Sequence, residues 1–224
     1  MKKIFSIIAA CAMTVAASAQ IVSSSSRSLV AEEYPNYSRI FVSYAPMQLS
    51  PEHGESITAT GVELGWQGGW SVSKTMPLYV EGGLNLRYNW NTEEESKGDY
   101  SYKVSDTFLS LNVPVNIAYK WAIPGAEDLS LVPYIGLHLT GNIIGSEKEE
   151  WDEYGYSGDE TYNFFDEDDM GKDNTASRFQ IGWQIGVGLN FKKLYLGVGY
   201  SAEFGGYFEK VNTGGFRFSL GLNL

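Results

Sequence analysis

From Ser38 onward, alternation of apolar and polar positions dominates the chain outside its long connections. "SRIFVSY" sets Ile40, Val42 and Tyr44 against Arg39, Phe41 and Ser43. "GVELGWQGGWSV" sets Val62, Leu64, Trp66, Trp70 and Val72 against Glu63, Gly65, Gln67 and Ser71. The same period runs through 78–90, 108–121, 129–143, 178–191 and 194–204, and ends in "GFRFSLGLNL" at 215–224. Successive side chains of a strand point to opposite faces, so period two predicts strands, eight of them. No segment carries the 3.6-residue period of a packing helix.

The two faces decide the solvent. One face is wholly apolar, and the other is mainly Gly, Ser, Asn, Gln and Thr with few charges. A soluble sandwich or lipocalin-like barrel would turn its apolar face inward and carry Lys and Glu on the watery face. The small polar residues here suit the crowded inside of an eight-stranded barrel, with the apolar face against lipid. In hydrocarbon no backbone group can stay unpaired, so the terminal strand is expected to pair with the first and close the sheet. Short links at 73–77, 122–128 and 192–193 alternate with long ones at 48–56, 91–103, 145–176 and 206–214. Short turns at one end and long loops at the other are the organisation of an outer-membrane barrel. Aromatics fall near both ends: Trp70, Tyr119, Trp121 and Phe191 by the short turns, and Tyr44, Trp66, Tyr88, Trp90, Phe179, Trp183 and Phe204 toward the long loops. Such girdles are expected at the two membrane interfaces.

Composition adds a destination. Lys2 and Lys3, an apolar run from Ile4, and "ASA" before Gln20 predict a secretory signal peptide over 1–19, cleaved after Ala19. Residues 20–37, serine-rich and aperiodic, are expected to be a flexible segment, and 38–224 the barrel. The lone Cys11 lies in the leader, so no disulfide is expected in the mature chain. A formal net charge of -11 argues against nucleic acid, whose phosphates need clustered Lys and Arg.

The leader, the eight alternating segments, the loop asymmetry and the aromatic-rich final strand resemble the small eight-stranded outer-membrane barrels, such as the OmpA transmembrane domain and OmpX. The resemblance covers about residues 38–224. It implies an all-β, antiparallel up-and-down transmembrane barrel in the cell outer membrane of a Gram-negative-type bacterium, with both chain ends periplasmic. The partners implied are outer-membrane lipid, lipopolysaccharide and the outer-membrane assembly machinery, the last recognising a terminal strand that usually ends in Phe but here in Leu224. The role expected is non-enzymatic, in membrane integrity or surface interaction. The alternatives are a narrow pore for small solutes and a rim-located lipid-modifying hydrolase or acyltransferase.

Candidate chemistry is sparse. His138, on the polar face of the fifth segment, is expected to be a hydrogen-bonded interior filler. His53 lies in the first long loop near Ser50, Glu52 and Ser56, residue types that nucleophilic catalysis uses and that most polar loops also contain. No catalytic residue, cofactor site or specific metal site is assigned. The acidic stretch 147–174 holds twelve Asp or Glu against two Lys, and is expected to be a mobile, solvated loop. Divalent cations or a surface ligand are the partners such a loop would take, with Trp151, Tyr154, Tyr156, Phe164, Phe165, Asp166, Asp168 and Asp169 as candidate contacts. "DEDDMG" starts like a calcium loop, but Met170 occupies a ligand position. Register predicts two inward ion pairs. The turn "SKTMP" pairs Val72 with Leu78, which sets Glu63 opposite Arg87. Taking Phe204 with Phe216 sets Glu203 opposite Arg217.

Overall fold

The computed structural model describes residues 34–224 except 99, 127, 154–155 and 172–173. The expected leader therefore lies outside the described residues, as does most of the segment after it. Strands β1 (Tyr37–Tyr44), β2 (Met47–Pro51), β3 (Ile57–Ser71), β4 (Leu78–Lys97) and β5 (Tyr100–Tyr119) come first. The short β6 (Trp121–Ala122), then β7 (Leu129–Glu153) and β8 (Tyr156–Asn163), precede a single helical turn α1 (Glu167–Met170). Strands β9 (Phe179–Phe191), β10 (Leu194–Glu203) and β11 (Val211–Asn223) complete the chain.

Every pairing is antiparallel, and β1 pairs both β3 and β11. That double pairing closes an eight-membered ring of β1, β3, β4, β5, β7, β9, β10 and β11. Strand β2 continues β1 past Ala45–Pro46 and likewise bridges β11 and β3. The break falls where Pro46 has no N–H to donate.

Side chains sort as the alternation requires. Leu84, Ile135 and Leu220 stand outward at 48%, 57% and 51% exposure, while Glu63, Asn85 and His138 are buried. A protein with exposed leucines and buried carboxylates is inside out for water and right side out for lipid. The inner wall is crowded enough to require glycine. A Cβ on Gly186 or Gly199 would run into the Tyr134 hydroxyl, which crosses the interior from β7.

Three features differ from the sequence reading. Strands β4, β5 and β7 run far past the barrel, so 91–103 is a long hairpin with its turn at Gly98 rather than a loop. The acidic stretch is likewise mostly strand, β7 doubling back as β8. Both faces of these extensions meet water, so no apolar alternation marked them as strands. Finally, residues 34–37 are packed rather than loose. Tyr34 and Tyr37 join Tyr79, Ala118, Val132 and Tyr134 in an aromatic cluster at the short-turn end, and Asn36 accepts the Ser71 N–H at 2.9 Å.

Candidate functional site: a sealed interior beneath an acidic sheet

Inward polar side chains from facing strands are widely hydrogen-bonded; three of the networks carry charge, and the first two are linked through Asn116 and Gln184. Nearest the short turns, Arg39 donates to Glu81 at 2.6 Å and to Gln67 at 2.8 Å. Its guanidinium lies 4.2 Å from the Tyr195 ring centre, a cation–π contact in a dry site. In the second network Glu63, opposite Arg87 in the β3–β4 ladder, accepts from Arg87 at 2.9 Å and from Arg217 at 3.2 Å. Arg217 also donates to the Tyr134 hydroxyl at 3.1 Å. One buried carboxylate thus serves two guanidinium groups. The third network joins His138 Nε2 to Glu203 at 2.9 Å, Thr140 to Glu203 at 3.1 Å and Asn112 to Thr140 at 3.0 Å.

The expected Glu203–Arg217 pair does not form. Strands β10 and β11 pair Gly199 with Arg217 and Tyr200 with Phe216, four residues away from the predicted register. After Glu203 the chain stays with β9 (Phe204 N–H to Ile181 C=O, 2.8 Å), then folds inward so that Tyr207 is buried before β11 begins. The connection is asymmetric, so its flanking phenylalanines do not pair. A shift of four preserves facing, which is why both charges remain inward with new partners.

The long-loop end is shut by aromatic side chains. Leu49, Ala59, Phe108, Phe164, Ala176 and Tyr207 form one buried cluster, with Phe165, Met170 and Phe208 packed on it. Phe108 meets Phe164 and Tyr207 with ring centres 5.6 and 5.5 Å apart. Phe164 and Phe165 were expected as exposed contacts; Phe164 is instead 4% exposed and Phe165 half-buried, stacked under the Arg178 guanidinium at 4.2 Å. Their burial follows from β8, which returns the chain to Gly145 so that Phe164 N–H bonds the Gly145 C=O at 2.9 Å. Sequence reasoning missed this plug. The adjacent Phe164-Phe165 inside an acidic run was its one signal.

Above the plug, β4, β5, β7 and β8 form a projecting sheet. Its inner face, continuous with the barrel lumen, carries Glu93, Glu95, Asp106, Glu147, Glu149 and Glu160. Lys97, at the tip of β4, is the one base on that face among the described residues. Asp106 stands opposite Glu147, and burial raises both carboxyls above the usual carboxylate range, with neighbouring carboxylates adding to it. Tyr102 and Tyr162, bonded to Glu149 and Glu160, are pushed up to about 12. The outer face is mixed: Glu150 accepts from Lys148 at 2.8 Å and from Lys103 at 3.2 Å, which lowers its carboxyl.

The other candidate contacts scatter. Trp151 lies against Gly158, and Tyr156 is 82% exposed, while Tyr154 is outside the described residues. Asp166 caps α1 by accepting the Asp168 N–H at 3.0 Å, and Asp169 accepts the Asn163 N–H at 2.8 Å. Among the described residues no three His, Cys, Asp or Glu are grouped to hold a metal ion. His53 is exposed and has no hydrogen-bond partner among the described residues, while Ser50 and Ser56 bond each other at 3.1 Å. The residues that would make a nucleophile and base are therefore not assembled.

A closed sheet with a lipid-facing exterior and a polar, filled interior defines a transmembrane β-barrel. The chain belongs to the family described as the outer membrane protein β-barrel domain, whose model matches residues 50–223, and its location is the outer membrane. No curated protein matches it. Among solved structures, Ail of Yersinia pestis in complex with the heparin analogue sucrose octasulfate is 14% identical, with 84% of this chain and 99% of that one covered and a TM-score of 0.47. Neisserial surface protein A is 14% identical over 84% and 96%, with a TM-score of 0.38. The outer-membrane enzyme PagL is 14% identical over 83% and 98%, with a TM-score of 0.47.

Proposed function

We propose that this barrel is a non-enzymatic surface protein, acting in membrane integrity or in contact with a partner, and conducts no solute. The observation that supports this reading is the double seal: an aromatic cluster at each end, with hydrogen-bonded side chains between them. A water-filled path would need polar side chains separated by free space, as in wider barrels. In this reading residues 1–19 are the exported chain's leader, 38–224 the functional barrel, and the projecting sheet stands outside the cell. Membrane lipid and lipopolysaccharide surround the apolar band, the assembly machinery inserts it, and the acidic sheet is where cations or a partner meet it. Planar-bilayer recording tests the reading. The purified barrel is expected to add no current steps, and a stable open level for the wild-type chain would overturn it.

A further inference from the structure

Strand β8 pairs on one side only, with β7. Which of its backbone groups face the free side follows from one bond. Phe164 N–H donates to Gly145 C=O, and Phe164 and Gly145 continue the β7–β8 register. In an antiparallel ladder bonded residues alternate, so the even positions 156, 158, 160 and 162 bond β7. The odd positions 157, 159, 161 and 163 then aim their N–H and C=O groups away from the sheet. Asn163 obeys this parity: its N–H is taken by the Asp169 carboxylate, standing where a neighbouring strand would be. The amides of Ser157, Asp159 and Thr161 have no such partner among the described residues. They form an open edge on an exposed strand that rises beyond the barrel.

An open edge is a template for another strand. A second copy of this chain fits it badly. Antiparallel self-pairing through this edge must set odd residues against odd and even against even, and the two registers nearest the centre of β8 put Asp159 on Asp159 or Glu160 on Glu160. Like charges directly opposite are destabilising. The same two carboxylates, one on each face of the strand, favour a partner with Lys or Arg on both of its faces. We propose that β8 is a docking edge for an extended, cationic polypeptide segment of another protein, which adds as an antiparallel strand through Ser157, Asp159 and Thr161. This deepens the surface-contact reading and rests on it.

The test uses the whole barrel in lipid nanodiscs with an eight-residue Lys-Lys-Thr-Thr repeat as the Lys–Thr probe, which places Lys on both faces of a strand, and the matching Glu-Glu-Thr-Thr repeat as the Glu–Thr control. Amide hydrogen exchange by NMR reads the edge. Adding the Lys–Thr peptide is expected to slow exchange at Ser157, Asp159 and Thr161 at least tenfold, leaving 158, 160 and 162 unchanged. Asp159→Lys with Glu160→Lys, still folded by its gel shift on boiling, is expected to weaken the peptide at least tenfold. Binding without slowed exchange at the three odd amides would overturn the proposal, as a loose electrostatic association. Equal binding of the Glu–Thr peptide, or no binding, would overturn it too. Protease access to the projecting sheet on intact cells, measured separately, reports the surface location, so failure of that reading is distinguishable from failure of the edge.

Discussion

Replacing Glu63 by Gln should cost about 3–5 kcal/mol, because it leaves buried positive charge without its partner. Glu63 is buried and accepts hydrogen bonds from Arg87 Nε and Nη2 on one oxygen and from Arg217 Nη1 on the other. An amide in its place keeps one acceptor, loses the charge and turns N–H donors toward a guanidinium. The arrangement also orders the rescues. Arg87→Met alone should be mild, about 1–2 kcal/mol, since Glu63 retains Arg217. Glu63→Gln with Arg87→Met should recover only part of the loss, because Arg217 keeps just Tyr134 and Gln184 as neutral acceptors. Adding Arg217→Met should recover most of the remainder. Urea unfolding in lipid vesicles, followed by tryptophan fluorescence and the boiling-dependent gel shift, supplies the free energies. Coupling between Glu63 and both arginines below about 0.5 kcal/mol would refute the shared-carboxylate account.

Arginine at Leu84, Ile135 or Val187 should cost about 2–4 kcal/mol if these sites lie near the bilayer midplane, read by the same unfolding series. Deleting 150–172 removes Phe164, Phe165 and Met170 from the plug, yet the barrel should still insert and still add no current in planar bilayers, because the bonded interior and the short-turn cluster remain. Gly145→Leu should disrupt the plug as well, because a Cβ there meets Tyr207, Phe165 and Phe164, and should expose Tyr207 to quenching agents. In the projecting sheet, the raised Asp106 and Glu147 carboxyls stabilise the folded form in acid. That stability is complete below their unfolded values of 3.8 and 4.5 and is lost as pH rises through the higher folded values. Chemistry-corrected amide exchange in β7 and β8 should therefore speed up from pH 4 to 7, and Asp106→Asn should remove much of that dependence.

The barrel was legible in the sequence because each strand meets two different environments, and period two records which residue meets which. The β3–β4 register was legible too, since "SKTMP" is too short to allow slippage between Val72 and Leu78. The last hairpin was not. Its connection hides Tyr207 inside the mouth, and no local pattern distinguishes a loop that folds inward from one that arches outward. Ile143 and Ile144 illustrate another limit: both face lipid because β7 bulges beside Leu109 and Ser110, which resets the alternation and turns Glu147 and Glu149 over the lumen. The projecting strands lacked an apolar face altogether. Phe164 was misplaced for the same reason, since its acidic surroundings describe the sheet above the plug and not the cavity into which the ring turns.

Closure between the first and last strands is the central claim, and a disulfide tests it most directly. Ser43 and Ser219 are paired across β1 and β11 with their hydroxyls 2.8 Å apart inside the barrel. Ser43→Cys with Ser219→Cys, in a chain with Cys11 absent, should form an intramolecular disulfide on oxidative refolding into lipid. Ser43→Cys with Gly215→Cys, four residues out of register, should not. Equal cross-linking of both pairs, or none in the inserted protein, would contradict a closed eight-stranded ring.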